Sequence, residues 1–275
     1  MQNTKERGKI IVIEGSDGSG KKTQTKLLVE KALKTGYNLK TMSFPQYDKP
    51  TGQKIKEYLS GKFGGVEDSS NIKVVIKLYA DDRLDAKPKI LKWLNPGKWI
   101  KPGKDLVFDR WIESNIGHQA AKVKAEDRIK LTEWIKLLEV DQNGLPEADL
   151  VIYLDLPVEF NQKAMEKEGR TKDIHESNVP YLLRVEDTYR WLASKNENWR
   201  AIDCLKKQAD SKQDRIRKTV EEIHKEIWNI VKPVLKTPPK LVRVVNIIKY
   251  KIICKLYFLA SKLYSYFQTL KEGQL

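Results

Sequence analysis

Residues 9–36 restrict the fold more than any other part of the chain. A short β-branched run from Lys9 to Glu14 stops at glycine and passes through Gly15-Ser16-Asp17-Gly18-Ser19-Gly20-Lys21. It then continues into a segment with Leu27, Leu28 and Leu33 set among lysines and closed by Gly36. The order is strand, glycine loop, helix. A glycine, four residues, a glycine and a lysine make the opening of the phosphate-binding pattern. Glycines are needed there because the backbone must curl until successive N–H groups point at phosphate oxygens, and a Cβ would block that approach. The helix N-terminus adds partial positive charge and Lys21 a full one. The candidate nucleotide-binding residues are therefore Gly15, Ser16, Asp17, Gly18, Ser19, Gly20 and Lys21, followed by Lys22 and Thr23.

One position departs from the pattern. The residue after the loop lysine is normally Ser or Thr, whose hydroxyl ligates magnesium, and here it is Lys22. Either Thr23 is recruited, or the cation is held through phosphates, water and a carboxylate elsewhere. Asp109 ends the apolar run Leu106-Val107-Phe108 and is the candidate magnesium-associated acid.

Further strands are expected at 38–44, 105–108, 150–154 and 199–204. Helical periodicity covers 69–94, 114–140, 158–167, 180–194 and 213–231. Alternation of this kind predicts an α/β fold, a parallel sheet of about five strands flanked by helices on both faces. No apolar run reaches the roughly 18–20 residues that a spanning helix needs, and residues 1–9 carry no apolar signal core. A cytoplasmic location is expected. Cys204 and Cys254 have no ligand-spaced partners, so neither a disulfide framework nor a zinc site is expected.

The net charge of +15 is unevenly placed. From Lys236 onward eight basic residues face one acidic residue, Glu272, which leaves +8 for residues 1–235. The joint is Lys236-Thr237-Pro238-Pro239, whose prolines cannot continue a helix. The chain therefore divides into a body, 1–235, and a C-terminal extension, 236–275. Leu241, Val244, Val245, Ile248, Ile252, Leu256, Leu259 and Leu263 recur at three- and four-residue steps among lysines. That pattern predicts a basic amphipathic helix suited either to an anionic membrane surface, through 240–271, or to packing on protein. No nucleic-acid-binding fold is visible, and none is expected as a partner.

A phosphate loop alone does not separate kinases, switches and motors. Further motifs follow it in order: Ile13-Glu14-Gly15 with Asp17, Phe44-Pro45-Gln46-Tyr47, Tyr79 to Arg83, Asp109-Arg110-Trp111, Ser114-Asn115 through Gln119, and Gly169-Arg170 to Glu176. With these motifs the chain from about Lys9 to Val231 resembles the thymidylate kinase family of P-loop nucleoside monophosphate kinases. The resemblance implies a P-loop NTPase fold and transfer of the γ-phosphoryl of ATP to dTMP with magnesium, a step of dTTP biosynthesis, in a homodimer. It also implies site roles. Arg110 would bind the acceptor phosphate, and Asp17 the sugar 3′-hydroxyl. Tyr79, standing where the family has Phe, would stack on thymine beside Arg83, and Ser114, Asn115 and Gln119 would lie near the pyrimidine edge. Phe44 and Pro45 would wall the acceptor site, and a lid at 168–177 would bring Arg170 to the transferring phosphoryl. Lys21, Arg110, Arg170 and Asp17 form the expected catalytic set. His118 stands where some relatives carry a tyrosine, and it is equally readable as a helix-surface histidine. A kinase for another deoxynucleotide, or a nucleotide-binding switch without turnover, stays open at this level.

Overall fold

The β-branched run at the start of the chain forms the middle of a sheet, and its burial follows from that place. The computed structural model describes residues 7–66, 69–95, 103–160, 173–207, 215–236, 244–257 and 259–260. Strand β1 (Ile10–Gly15) is buried along its whole length. It pairs in parallel with β3 (Asp105–Asp109) on one side and β4 (Leu150–Asp155) on the other. The outer strands are β2 (Leu39–Ser43), beside β3, and β5 (Trp199–Asp203), beside β4, giving the order β2-β3-β1-β4-β5. All are parallel, and both faces are covered. Ile10, Val12, Leu106, Phe108, Val151 and Tyr153 enter one core, and Ile11, Ile13, Val107, Ile152 and Leu154 enter the other. Each fully buried side chain of this size stabilises the fold by roughly 1.5–3 kcal/mol relative to exposure.

The helices follow the connections. They are α1 (Lys21–Lys34), α2 (Pro50–Leu59), α3 (Ile72–Leu94), α4 (Ile112–Ala120), α5 (Arg128–Lys136), α6 (Val179–Lys195) and α7 (Val220–Val231), with a further helix, α8, at 244–257. Helix α1 packs on β1, β2 and β3, and its N-terminus meets the carboxyl end of β1. Because β1 leads outward to β2 while β3 leads across to β4, the connections part above β1, and such a sheet opens its crevice at that place.

Several sequence expectations need correction. The periodic stretch 114–140 is not one helix. It is α4, then a 3₁₀ turn at Ala125–Asp127, then α5, which widens into a π-helical stretch at Leu137–Gln142. Lys124 takes an extended backbone (ψ 156°) and breaks the first from the second. Of the segment read as a helix from 213, the first described residues form a strand, β7 (Arg215–Arg217), antiparallel to β6 (Leu205–Lys207). Helix α7 starts only at Val220, where Thr219 accepts from the Glu222 N–H and the Glu222 side chain accepts from the Thr219 N–H. That reciprocal cap satisfies two otherwise orphaned donors. Helix α2 was not foreseen; it begins with Pro50 at its first turn and buries Ile55 and Tyr58. The expected helix at 158–167 is described only as a helical start at 158–160.

Candidate functional site

The local fold of the phosphate loop follows from its glycines. Gly15 has φ +150°, and a Cβ on it would lie 2.7 Å from Ser19 Oγ and 3.0 Å from Leu154 O. Gly20, at φ +99°, ends the loop in the left-handed region directly before α1. The loop therefore needs its glycines for both close approach and backbone conformation. Lys21 is buried, and its ammonium donates to Ser16 O at 2.8 Å and lies 3.4 Å from Asp17 Oδ1. Lys22 and Thr23 are exposed at the first turn of α1.

Beyond β3, Arg110 has φ +69°, a left-handed backbone uncommon for a side chain of this size. Its guanidinium meets Asp17 through Nη2, and Nη1 lies 3.3 Å from Ser114 Oγ and 3.2 Å from His118 Nε2. Burial works against the Asp17 carboxylate, but the facing Arg110 and Lys21 outweigh it and hold Asp17 well below the usual carboxylate range. Arg110 and Asp17 thus approach from opposite walls and are paired here.

Behind them lies Glu14, fully buried at the end of β1. It accepts from the Trp111 N–H (3.1 Å), the Ser114 hydroxyl (2.8 and 2.9 Å) and the Tyr189 hydroxyl (2.9 Å). Burial raises its pKa, and Arg110 and the Ser114 hydrogen bond oppose that.

These groups open on a cavity of about 800 Å³. One end is walled by 17–24 with Arg217 and Lys218, the other by Phe44, Pro45, Tyr79, Arg83, Asn115 and Gln119. Phe44 is buried and packs against Phe108 and Trp111, so it serves the core as well as the wall. Tyr79 is half-buried on α3, edge-on to Tyr58 with ring centroids 6.5 Å apart. Arg83, expected to reach into the cavity, has Nε and Nη2 in a bidentate pair with Glu139 at 2.5 and 2.7 Å, leaving only Nη1 outside that pair. Asn115 donates to Ile76 O and Glu139 Oε1. Its Oδ1 and both polar atoms of Gln119 are buried without a hydrogen-bond partner. Unpaired buried polar atoms each cost about 1–3 kcal/mol, so a cavity wall that leaves three of them open is made for something that pairs with them.

His118 is not on a helix surface. It is 8% exposed, stacked on His175 with centroids 5.4 Å apart, and within 2.9 Å of the Tyr181 hydroxyl. Burial and then Arg110 push its pKa well below the usual value, and burial and then Lys122 bring His175 down to about 3, so both rings are neutral near pH 7. Of the expected lid, Asp173, His175 and Glu176 line the cavity, while Arg170 and the rest of 168–172 lie outside the described residues.

Asp109 Oδ1 is buried and without a partner. Among the described residues no group of three His, Cys, Asp or Glu side chains could cage a metal. A single carboxylate fits magnesium, which keeps several waters and is bound through one or two carboxylates plus substrate phosphates.

Sequence reasoning missed Glu139, His175 as a cavity wall, and Arg217. Glu139 carried no local signal, since its partner is 56 positions away. Arg217 sits in an Arg-Ile-Arg alternation that was legible as a strand.

The family model for thymidylate kinase matches residues 13–216, most of the chain. A thymidylate kinase of Plasmodium falciparum is 28% identical over 221 residues, 80% of this chain and 94% of its own. The Homo sapiens thymidylate kinase is 26% identical over 231 residues, 84% of this chain and 93% of its own. Among solved structures, a thymidylate kinase from Candida albicans superposes with a TM-score of 0.60 at 22% identity, covering 82% of this chain and 92% of that one.

Removing one partner of the Arg83–Glu139 pair strands a buried charge. Glu139→Ala is expected to lower stability by about 3–5 kcal/mol, read as a shifted urea midpoint with unchanged slope. A loss below about 1 kcal/mol would show that the pair does not brace this wall.

Proposed function

The chain belongs to the thymidylate kinase family, and from that premise we propose that it transfers the γ-phosphoryl of ATP to dTMP, giving dTDP and ADP. The observation that carries this reading is one cavity with a phosphate loop at one end and unpartnered buried amide atoms of Asn115 and Gln119 at the other. An amide offers a donor and an acceptor together, which suits the donor and acceptor edge of a pyrimidine. Tyr79 supplies a ring face for stacking there, and Arg83 keeps Nη1 for a base carbonyl.

The chemistry is positioning and charge neutralisation. A phosphate oxygen of the acceptor attacks the γ-phosphorus while the bond to the β-bridging oxygen breaks, and no strong base is needed. In this reading Gly15, Ser16, Gly18, Ser19 and Gly20 cradle the donor phosphates with Lys21, while Lys22 and Thr23 flank them. Arg110 exchanges Asp17 for the acceptor phosphate, and the freed Asp17 accepts from the sugar 3′-hydroxyl. Ser114 holds Arg110 from behind, Phe44 and Pro45 bound the acceptor, and Arg170 is the lid cation. Asp109 would hold magnesium together with water. Bound there, the ion would supply charge neutralisation at the donor phosphates.

Arg110→Ala is expected to lose at least about a hundredfold in kcat/KM, because a charged contact to phosphate in a dry site is worth roughly 3 kcal/mol or more. A coupled ADP-release assay across dTMP, dUMP, dGMP and dCMP reads this and the acceptor together. Preference for a purine would overturn the acceptor assignment. Absence of turnover with all four would leave a nucleotide-binding switch.

Two further parts of the reading concern surfaces. A homodimer is supported by exposed apolar residues on two helices, Val74 and Leu84 on α3 and Ile129 on α5. Sedimentation velocity should give twice the mass of one chain, and a single-chain species at micromolar concentration would overturn it. Peripheral membrane contact is supported by α8. No described helix is long and apolar enough to cross a membrane, but α8 exposes Val244, Ile248, Ile252, Ile253, Leu256 and Tyr257. Lys249, Lys251 and Lys255 stand exposed among them. Such a face fits the interface of an anionic bilayer. The full chain should sediment with phosphatidylserine vesicles, and Ile252→Asp with Leu256→Asp should abolish that. Equal partitioning of the two chains would sink the idea.

A further inference from the structure

Two of the cations expected to meet phosphate, Lys21 and Arg110, already lie against Asp17. Arg217 is different. It stands on β7, in a hairpin that is separate from the main sheet and that sequence reasoning did not foresee. Its Nη2 donates to Gly18 O at 3.0 Å and lies 3.5 Å from where a Cβ on Gly20 would be, so the guanidinium rests against the phosphate loop at the cavity wall.

Three basic residues beside it are paired with carboxylates. Lys206 pairs with Glu222 at 2.5 Å, Lys218 with Glu226 at 2.6 Å, and Arg215 with Asp203. Among the described residues no carboxylate pairs with Arg217, whose hydrogen bond goes to a carbonyl and leaves its full charge in place. The hairpin root is also fixed. Cys204 N donates to Asp155 O at 3.0 Å and Lys218 N to Cys204 O at 2.8 Å, while Leu205, opposite Arg217 in the ladder, is buried. The strand that carries the guanidinium is thereby tied to the end of β4 and the start of α7.

We propose that Arg217 binds the phosphates of the donor nucleoside triphosphate and at the same time holds the phosphate loop through Gly18. A guanidinium has five N–H groups in a planar fork, so one can stay on the carbonyl while others meet phosphate oxygens. The loop supplies one cation of its own, Lys21, against a triphosphate of three to four negative charges, and Arg217 adds another from outside the loop. This inference rests on the kinase reading for the identity of the donor.

The test uses the full chain with Arg217→Ala and Arg217→Gln, reading ADP affinity by calorimetry and steady-state constants for both substrates. Glutamine keeps a donor for Gly18 O but no charge, so the two variants separate loop support from phosphate binding. Both should weaken ADP and raise the ATP KM about tenfold, the loss of one charged contact at a half-buried position, with the dTMP KM within about twofold of the parent. Wild-type donor affinity in Arg217→Gln, or an equal rise in both KM values, would overturn the proposal. So would an equal loss for adenosine, which would assign Arg217 to the base. If the parent binds ADP but turns over no acceptor, the kinase reading fails, and the calorimetric comparison still decides the role of Arg217.

Discussion

The mouth of the sheet depends on one buried carboxylate. Glu14, the last side chain of β1 before Gly15, has no solvent contact and takes hydrogen bonds from the turn after β3, from α4 and from α6. A buried carboxylate left unpaired would be costly, so those three elements can sit only where their donors reach it. The Trp111 N–H is one of them, and it fixes the turn that holds Arg110 in its left-handed conformation. Ser114 bonds Glu14 on one side and Arg110 on the other. The position of the arginine over the phosphate loop is therefore set from inside the core.

Most of the charge at the site is fixed at ordinary pH, although burial pushes Asp173 at the cavity wall up to about 6. Asp17 is held ionised by Arg110 and Lys21, and His118 and His175 are held neutral chiefly by burial. The stacked histidines contribute shape and hydrogen bonds: the stack joins α4 to the segment before α6, His175 bonds Tyr58 of α2, and His118 bonds Tyr181 of α6. What remains is a set of cations around a cavity of about 800 Å³, an electrostatic setting suited to polyanions.

Much of this was legible in the chain, and the reason is locality. The loop, its flanking strand and helix, and the five parallel strands within a residue or two all follow from short patterns of glycine, β-branched residues and leucine spacing. The misreadings share a cause. The periodicity of 213–231 runs across a strand and a helix because Arg-Ile-Arg suits both, and only pairing with Leu205–Lys207 decides for the strand. His118 stayed open between a surface and a site residue because nothing nearby in sequence announces the stack with His175, 57 positions on. Arg83 was readable as a ligand, and Glu139, which occupies two of its nitrogens, was not.

By itself, the sequence determined that the chain has a phosphate loop between strand and helix, an α/β order, an acid and an arginine at the end of β3, and a concentration of basic residues after Lys236. Each depends on neighbours within a few residues, where backbone sterics and period settle the outcome. Only the tertiary structure decided that Arg110 faces Asp17, that Glu14 anchors the turn behind them, that Asn115 and Gln119 present unpaired amide atoms, and that Arg217 reaches the loop from a hairpin 199 positions away. Those contacts join segments far apart in the chain, and a contact of that kind exists only after the sheet and its cores have brought the segments together.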